Sequence, residues 1–256
     1  MNDTPRENPL TGLFSRNLPA VMTLGGDGAE ALLLREYGSV FVARGGVVPP
    51  DRVKFNNSSE VEAFQNKVSI RTETIGGFEM TLQAEAMNAL MSAMKDAEAN
   101  DLSINPRGAD SAKRSYDGTV GLWASRVEPA LDHWTRNGRI NRETAAAIRR
   151  LPPSEQVSEV LILETEGIWF AKDLSKSIIY SVAPPGTSQH LSMLAFDVKE
   201  FADPAVRAIL SARGWHRTVA SDLPHFTFLG VTEAELPALG LKQVTTPDGD
   251  FWLPDI

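Results

Sequence analysis

The chain contains no cysteine. That absence excludes disulfides, thiolate zinc sites, iron–sulfur ligation and a cysteine nucleophile, so any metal must be held by histidine and carboxylate. Histidine is scarce as well, with four in 256 residues: His133, His190, His216 and His225. Positive charge is in deficit, with 25 Lys and Arg against 33 Asp and Glu, a net charge of −8. Without a dense basic patch, such a chain repels a phosphate backbone, and nucleic acid is not expected as a partner. Long apolar runs are missing too. The longest uncharged stretch, 177–196, contains Pro184, Pro185, Gly186, Ser188, Gln189 and His190, which do not form a spanning helix, so no transmembrane segment is expected. The first ten residues, MNDTPRENPL, lack a basic segment followed by an apolar one, and no secretory signal is read in them.

What is present fits an ordinary folded protein: 42% hydrophobic and 23% charged residues. At 256 residues the chain exceeds a common domain of about 150, which suits one large domain, or one domain with an accessory piece. Residues 1–75 read as an N-terminal accessory region. Within them, 38–50 suggests a short strand, a Gly45-Gly46 turn and a second strand ended by proline. Apolar residues recur at helical spacing over 82–99. They do so again at Tyr116, Val120, Trp123, Val127, Leu131 and Trp134, one face of a helix ending near Asn137-Gly138. Asn141 caps a short helix through Arg150, stopped by Pro152-Pro153, and the apolar stretch 157–163 fits helix or strand. Residues 194–198 read as a strand. Asp203, Pro204 and Gly214 delimit a helix through Arg213, and Pro247-Asp248-Gly249 turns a terminal hairpin. His225 opens a strand in which His225 and Thr227 share one face and Phe226 and Phe228 the other. Helices and adjacent strands without regular βαβ alternation indicate an α+β fold with an antiparallel sheet.

Two segments, 183–198 and 221–226, hold two histidines and two aspartates. A hydrolytic zinc site needs three protein ligands and one open position, and His190, Asp197 and His225 supply such a set. Asp222, three residues before His225, is placed to accept a proton from an attacking water. An aspartate in an apolar strand is costly unless compensated, which favours a ligand role for Asp197. Trp123 and Trp134 share the apolar face of their helix and read as core. Trp215 suits a cleft or simple packing, and His133 and His216 carry no pattern.

The motif Ser188-x-His190-x6-Asp197, preceded by Pro184-Pro185-Gly186 and followed by Asp222-x-x-His225, resembles the LAS metallopeptidases. The likeness is to the VanY-like D-alanyl-D-alanine carboxypeptidases and the related L-alanyl-D-glutamate endopeptidases. Arg114-Ser115-Tyr116, at the start of a helix, resembles the third motif of that family. The resemblance covers about residues 100–230. It implies a small antiparallel sheet flanked by helices (the LAS/hedgehog-type fold) within a zinc peptidase domain of residues 76–256. Because 76 residues separate Arg114 from His190, it also implies an insertion around 138–177.

By resemblance, His190, Asp197 and His225 are the Zn2+ ligands and Asp222 the general base. Arg114 is the cation that binds substrate and faces the oxyanion, with Ser115 and Ser188 as further substrate-binding residues. The substrate implied is the peptidoglycan stem peptide, cut to release a terminal D-alanine, in the cell envelope or periplasm. The alternatives are L-alanyl-D-glutamate endopeptidase activity and a non-catalytic zinc-bearing binding domain of the same superfamily. Three departures accompany the match: Met193 stands where the family has glycine, Thr119 where glutamine is common, and Asp222 where the carboxypeptidases have glutamate.

Overall fold

A computed structural model of the chain describes residues 12–22 and 28–256. The segment read for a leader lies outside them. Short α1 (Leu13–Asn17) and α2 (Gly28–Tyr37) come first, and α2 runs into a 3-10 turn, Gly38–Val42. Then follow α3 (Ser58–Gln65), the hairpin β1 (Ile70–Ile75) and β2 (Phe78–Gln83), and the helices α4 (Ala84–Glu98), α5 (Tyr116–Arg136), α6 (Arg142–Arg150) and α7 (Pro153–Thr165). The C-terminal third holds β3 (Ala195–Asp197), α8 (Pro204–Ala212), β4 (Trp215–His216), β5 (His225–Phe228), β6 (Leu241–Thr246) and β7 (Gly249–Pro254). Strand pairing is antiparallel in each sheet, with orders β1-β2, β3-β5-β4 and β6-β7. The architecture is mixed helix and small antiparallel sheet. Among the described residues no helix is long and apolar enough to cross a membrane.

Local chemistry explains most boundaries. The Ser115 hydroxyl accepts from Gly118 N and caps α5, Asn141 accepts from Thr144 N at the start of α6, and Asp203 accepts from Ala205 N ahead of Pro204 in α8. The face of α5 foreseen from periodicity is buried at Tyr116, Trp123, Val127 and Leu131. The undecided stretch 157–163 lies within α7, which opens on Pro153.

Two expectations are corrected. The strand expected within 38–50 is instead the 3-10 turn, followed by irregular chain. All five residues of that turn are buried, so no alternation separates strand from helix there. The helix expected from Leu82 starts at Ala84, because Leu82 belongs to β2, where it pairs with Arg71.

One core runs through the molecule. Phe14, Leu34, Phe41, Leu90, Trp123 and Phe226 all belong to it. A smaller cluster (Phe55, Val61, Phe64, Val68, Tyr116, Leu191 and Met193) packs α3 against the start of α5 and the segment after His190. The chain passes very closely there. Gly186 has φ +79°, and a Cβ on it would lie 1.8 Å from Phe55 O, so this position requires glycine.

Candidate metal centre

Antiparallel register brings the first two residues together. Asp197, the last residue of β3, pairs directly with His225, the first of β5. Cross-strand partners project from the same face with Cβ atoms about 5 Å apart. The opposite face carries Phe196 and Phe226, and Phe196 meets Trp215 edge-on, 6.3 Å between centroids. Trp215 is wholly buried and is not among the residues lining the cavity beside the two histidines, which answers the cleft-or-packing alternative in favour of packing. His190 arrives from the 3-10 turn Gln189–Ser192, which Met193 ends in a left-handed conformation (φ 58°).

The donor atoms converge. His190 Nε2 lies 3.3 Å and His225 Nδ1 3.2 Å from Asp197 Oδ1, and the imidazole rings stand 4.9 Å apart at 78°. One ligand atom from each residue falls within 4.8 Å of the others. Both histidine side chains are nearly buried, at 3% and 5% exposure, and Asp197 is 15% exposed. A tetrahedral ion with bonds of about 2.0–2.1 Å separates its donors by roughly 3.3 Å, so these spacings suit one shared ion.

The electrostatics point the same way. His190 Nδ1 is 2.7 Å from Ala112 O, a carbonyl that only accepts, so Nδ1 carries a proton, and in the neutral ring Nε2 turns a lone pair toward a carboxylate oxygen. In that state the two facing acceptors are compensated by a cation between them, a metal ion or a proton. Burial lowers the affinity of His190 for a proton, against the opposing pull of Asp197. Burial also works against ionisation of Asp197; without an ion, protonated imidazoles at His190 and His225 have to supply the positive charge that lowers its pKa. The three residues therefore form a site that can hold a metal ion, and zinc fits the donor set and its spacing.

A loop absent from the sequence reading braces this centre. Ser111 O accepts from Asp197 N (2.9 Å), Arg107 N donates to Asp197 O (3.1 Å), and Arg114 N donates to His190 O (3.3 Å). Gln65 Nε2 ties Arg114 O (3.2 Å) to Leu191 O (3.0 Å). Most of these bonds use main-chain groups, which leave no trace in residue type.

The histidines open onto a cavity of about 350 Å³. Arg107, Asp110, Arg114, Arg126, Ser188 and Asp222 also line it. Arg114 Nη2 lies 3.5 Å from Asp110 Oδ2 and 3.9 Å from Asp197 Oδ2. Its Nε is buried and finds no hydrogen-bond partner among the described residues. Asp222 is exposed at the rim, close enough to the Tyr37 phenol to add to the upward push that burial gives it. Thr119 also lines the cavity, where its hydroxyl accepts from Gly186 N at 3.3 Å.

Of the residues expected at the site, His190, Asp197 and His225 meet, and Arg114, Ser188 and Asp222 surround the same cavity. Ser115 does not join them; it is exposed and its hydroxyl caps α5. Sequence reasoning passed over Arg107, Arg126 and Gln189.

No protein-family model matches the sequence, and no curated protein matches it. Among solved structures, the chain is similar to a variant of the vancomycin-resistance D,D-pentapeptidase VanY from a VanB-type resistance cassette, in complex with Zn(II). Identity is 15%, the TM-score is 0.36, and the match covers 64% of this chain and 82% of that one.

Proposed function

We propose that the chain is a zinc-dependent peptidase that hydrolyses peptidoglycan stem peptides and releases a terminal D-alanine, acting in the cell envelope. The observation that carries this reading is the joint placement of two buried imidazole nitrogens, 3.2 and 3.3 Å from Asp197 Oδ1, beside a cavity that also holds Arg114 and Asp222. In it, His190, Asp197 and His225 hold the ion. Bound zinc supplies Lewis-acid activation of water near neutral pH.

Asp222 accepts a proton as the oxygen of water adds to the scissile carbonyl, and returns that proton to the leaving amine. The Arg114 guanidinium, which lines the cavity, meets the charge that develops on the carbonyl oxygen. Arg107, Arg114 and Arg126 line the cavity beside Asp110 and Asp222, an excess of one positive charge in a chain whose net charge is −8, which suits a peptide carboxylate.

The test uses the zinc-loaded chain and a pentapeptide stem, with products read by mass. Loss of one alanine is expected, and Asp222→Ala should lower turnover by about 10²–10⁴-fold at unchanged zinc content. A cut between L-alanine and D-glutamate would favour the endopeptidase reading, for which the short Asp222 side chain speaks. Unchanged turnover in Asp222→Ala removes the base. Zinc-loaded protein that cuts no stem peptide overturns the proposal and favours a non-catalytic binding domain.

A further inference from the structure

Gln189 adjoins His190 in sequence, yet its side chain serves the other histidine. It is 2% exposed, and all four hydrogen-bonding positions of its amide are used. Nε2 donates to Tyr37 O at 2.9 Å and toward Thr218 Oγ1 at 3.4 Å. Oε1 accepts from the Thr227 hydroxyl and lies 2.9 Å from His225 Nε2. The ring closes through the Thr218 and Thr227 hydroxyls, 2.6 Å apart, and both threonines are wholly buried.

The direction of this network is fixed at one point. Tyr37 O is a carbonyl and only accepts, so the amide group facing it must be the NH2. A flipped amide would set two oxygens 2.9 Å apart in a buried place and turn its NH2 on Thr227 and His225. With Oε1 thus directed at His225, the nitrogen opposite it must be a donor. His225 therefore carries a proton on Nε2 and, as a neutral ring, presents a bare Nδ1 toward Asp197, where the shared ion would lie. Ala112 O fixes His190 in the opposite sense, leaving Nε2 bare.

We infer that Gln189 is a positioning residue that selects the tautomer of His225 and aims its Nδ1 at the metal. The inference rests on the proposed metal centre. It also gives the N-terminal part of the chain a role in the site: the main chain at the end of α2 locks the amide that orients a ligand more than 180 residues further on. A neutral amide does this without adding charge beside the ion. A carboxylate in its place would set a negative oxygen against Tyr37 O.

The test uses the full chain, labelled with ¹⁵N at histidine, and reads imidazole nitrogens by NMR alongside zinc affinity by chelator competition. In the wild-type chain loaded with zinc, His225 should show a slowly exchanging proton on Nε2 and metal on Nδ1. Gln189→Met should bind zinc about 10–100-fold more weakly and show mixed His225 tautomers when metal is removed. Gln189→Glu keeps an acceptor toward His225 and should retain the single tautomer, at a cost in stability from the oxygen it sets against Tyr37 O.

Zinc on His225 Nε2 in the wild type, or a Gln189→Met chain with wild-type tautomer and affinity, overturns the inference. Should Gln189→Met not fold, the wild-type spectrum decides alone. A chain that ligates zinc through Nδ1 yet cuts no stem peptide overturns the proposed function and leaves this inference standing, whereas a chain that binds no zinc ends both.

Discussion

At Met193 a residue with a Cβ holds a left-handed backbone (φ 58°) in a fully buried position, a conformation that costs a non-glycine residue about 1–2 kcal/mol. The conformation has a purpose: it ends the 3-10 turn that delivers His190 and lets Met193 O accept from Gln83 N. The side chain offsets the strain by filling the cluster of Phe55, Phe64 and Tyr116. Removing a buried methionine side chain costs about 2–5 kcal/mol, more than glycine would return through the backbone. Met193→Gly is therefore expected to lower stability by about 1–3 kcal/mol in denaturant melts, and a stabilised variant would contradict this balance. The left-handed backbone at this position is one that ordinarily favours glycine. Residue identity made the two histidines and Asp197 legible, because imidazoles and carboxylates at motif spacing are rare. Gln189 was not legible, because an amide has no distinctive spacing and its partners come from Tyr37, Thr218 and Thr227.

Elements with a buried stripe were legible for a related reason. In α5 the steps from Tyr116 to Leu131 place apolar side chains on one face, and the helix forms there with Ser115 as cap. The β1-β2 hairpin was missed although Gly76-Gly77 marks its turn, because β1 (Ile70–Ile75) is exposed along most of its length and carries Arg71 and Glu73 rather than an apolar alternation.

Helix α7 and the loop after it join through Glu164. Its carboxylate accepts from Phe170 N (3.2 Å), Ile178 N (2.7 Å) and the Ser177 hydroxyl. Burial raises the Glu164 pKa, against the lowering effect of those three bonds. The folded state therefore binds this proton more tightly than the unfolded chain. The stability it contributes is complete below the ordinary carboxyl value of 4.5 and is lost as pH rises through the raised folded value. Glutamine can keep the two main-chain bonds and donate to Ser177. In thermal melts Glu164→Gln should gain on wild type as pH rises from 4 to 8. A constant difference across that range would contradict the assignment.

At the scale of the whole molecule, one core links Phe14 near the N-terminus to Leu241 near the C-terminus, so the metal centre draws on distant parts of the chain. The three candidate ligands come from β3, β5 and the turn before β3, and their braces from α2 and the loop 107–114. An ion that binds this assembly and not the unfolded chain stabilises it by about 2.7 kcal/mol at a free concentration 100 times its dissociation constant. Zinc should therefore raise the melting temperature of the chelated wild-type chain, and should leave His225→Ala unmoved. The most direct measurement is zinc content after equilibrium dialysis, for the wild-type chain and Asp197→Ala side by side. One zinc per wild-type chain and close to none in Asp197→Ala is the expected result; a wild-type chain without zinc, or an Asp197→Ala chain that keeps its full share, would contradict it.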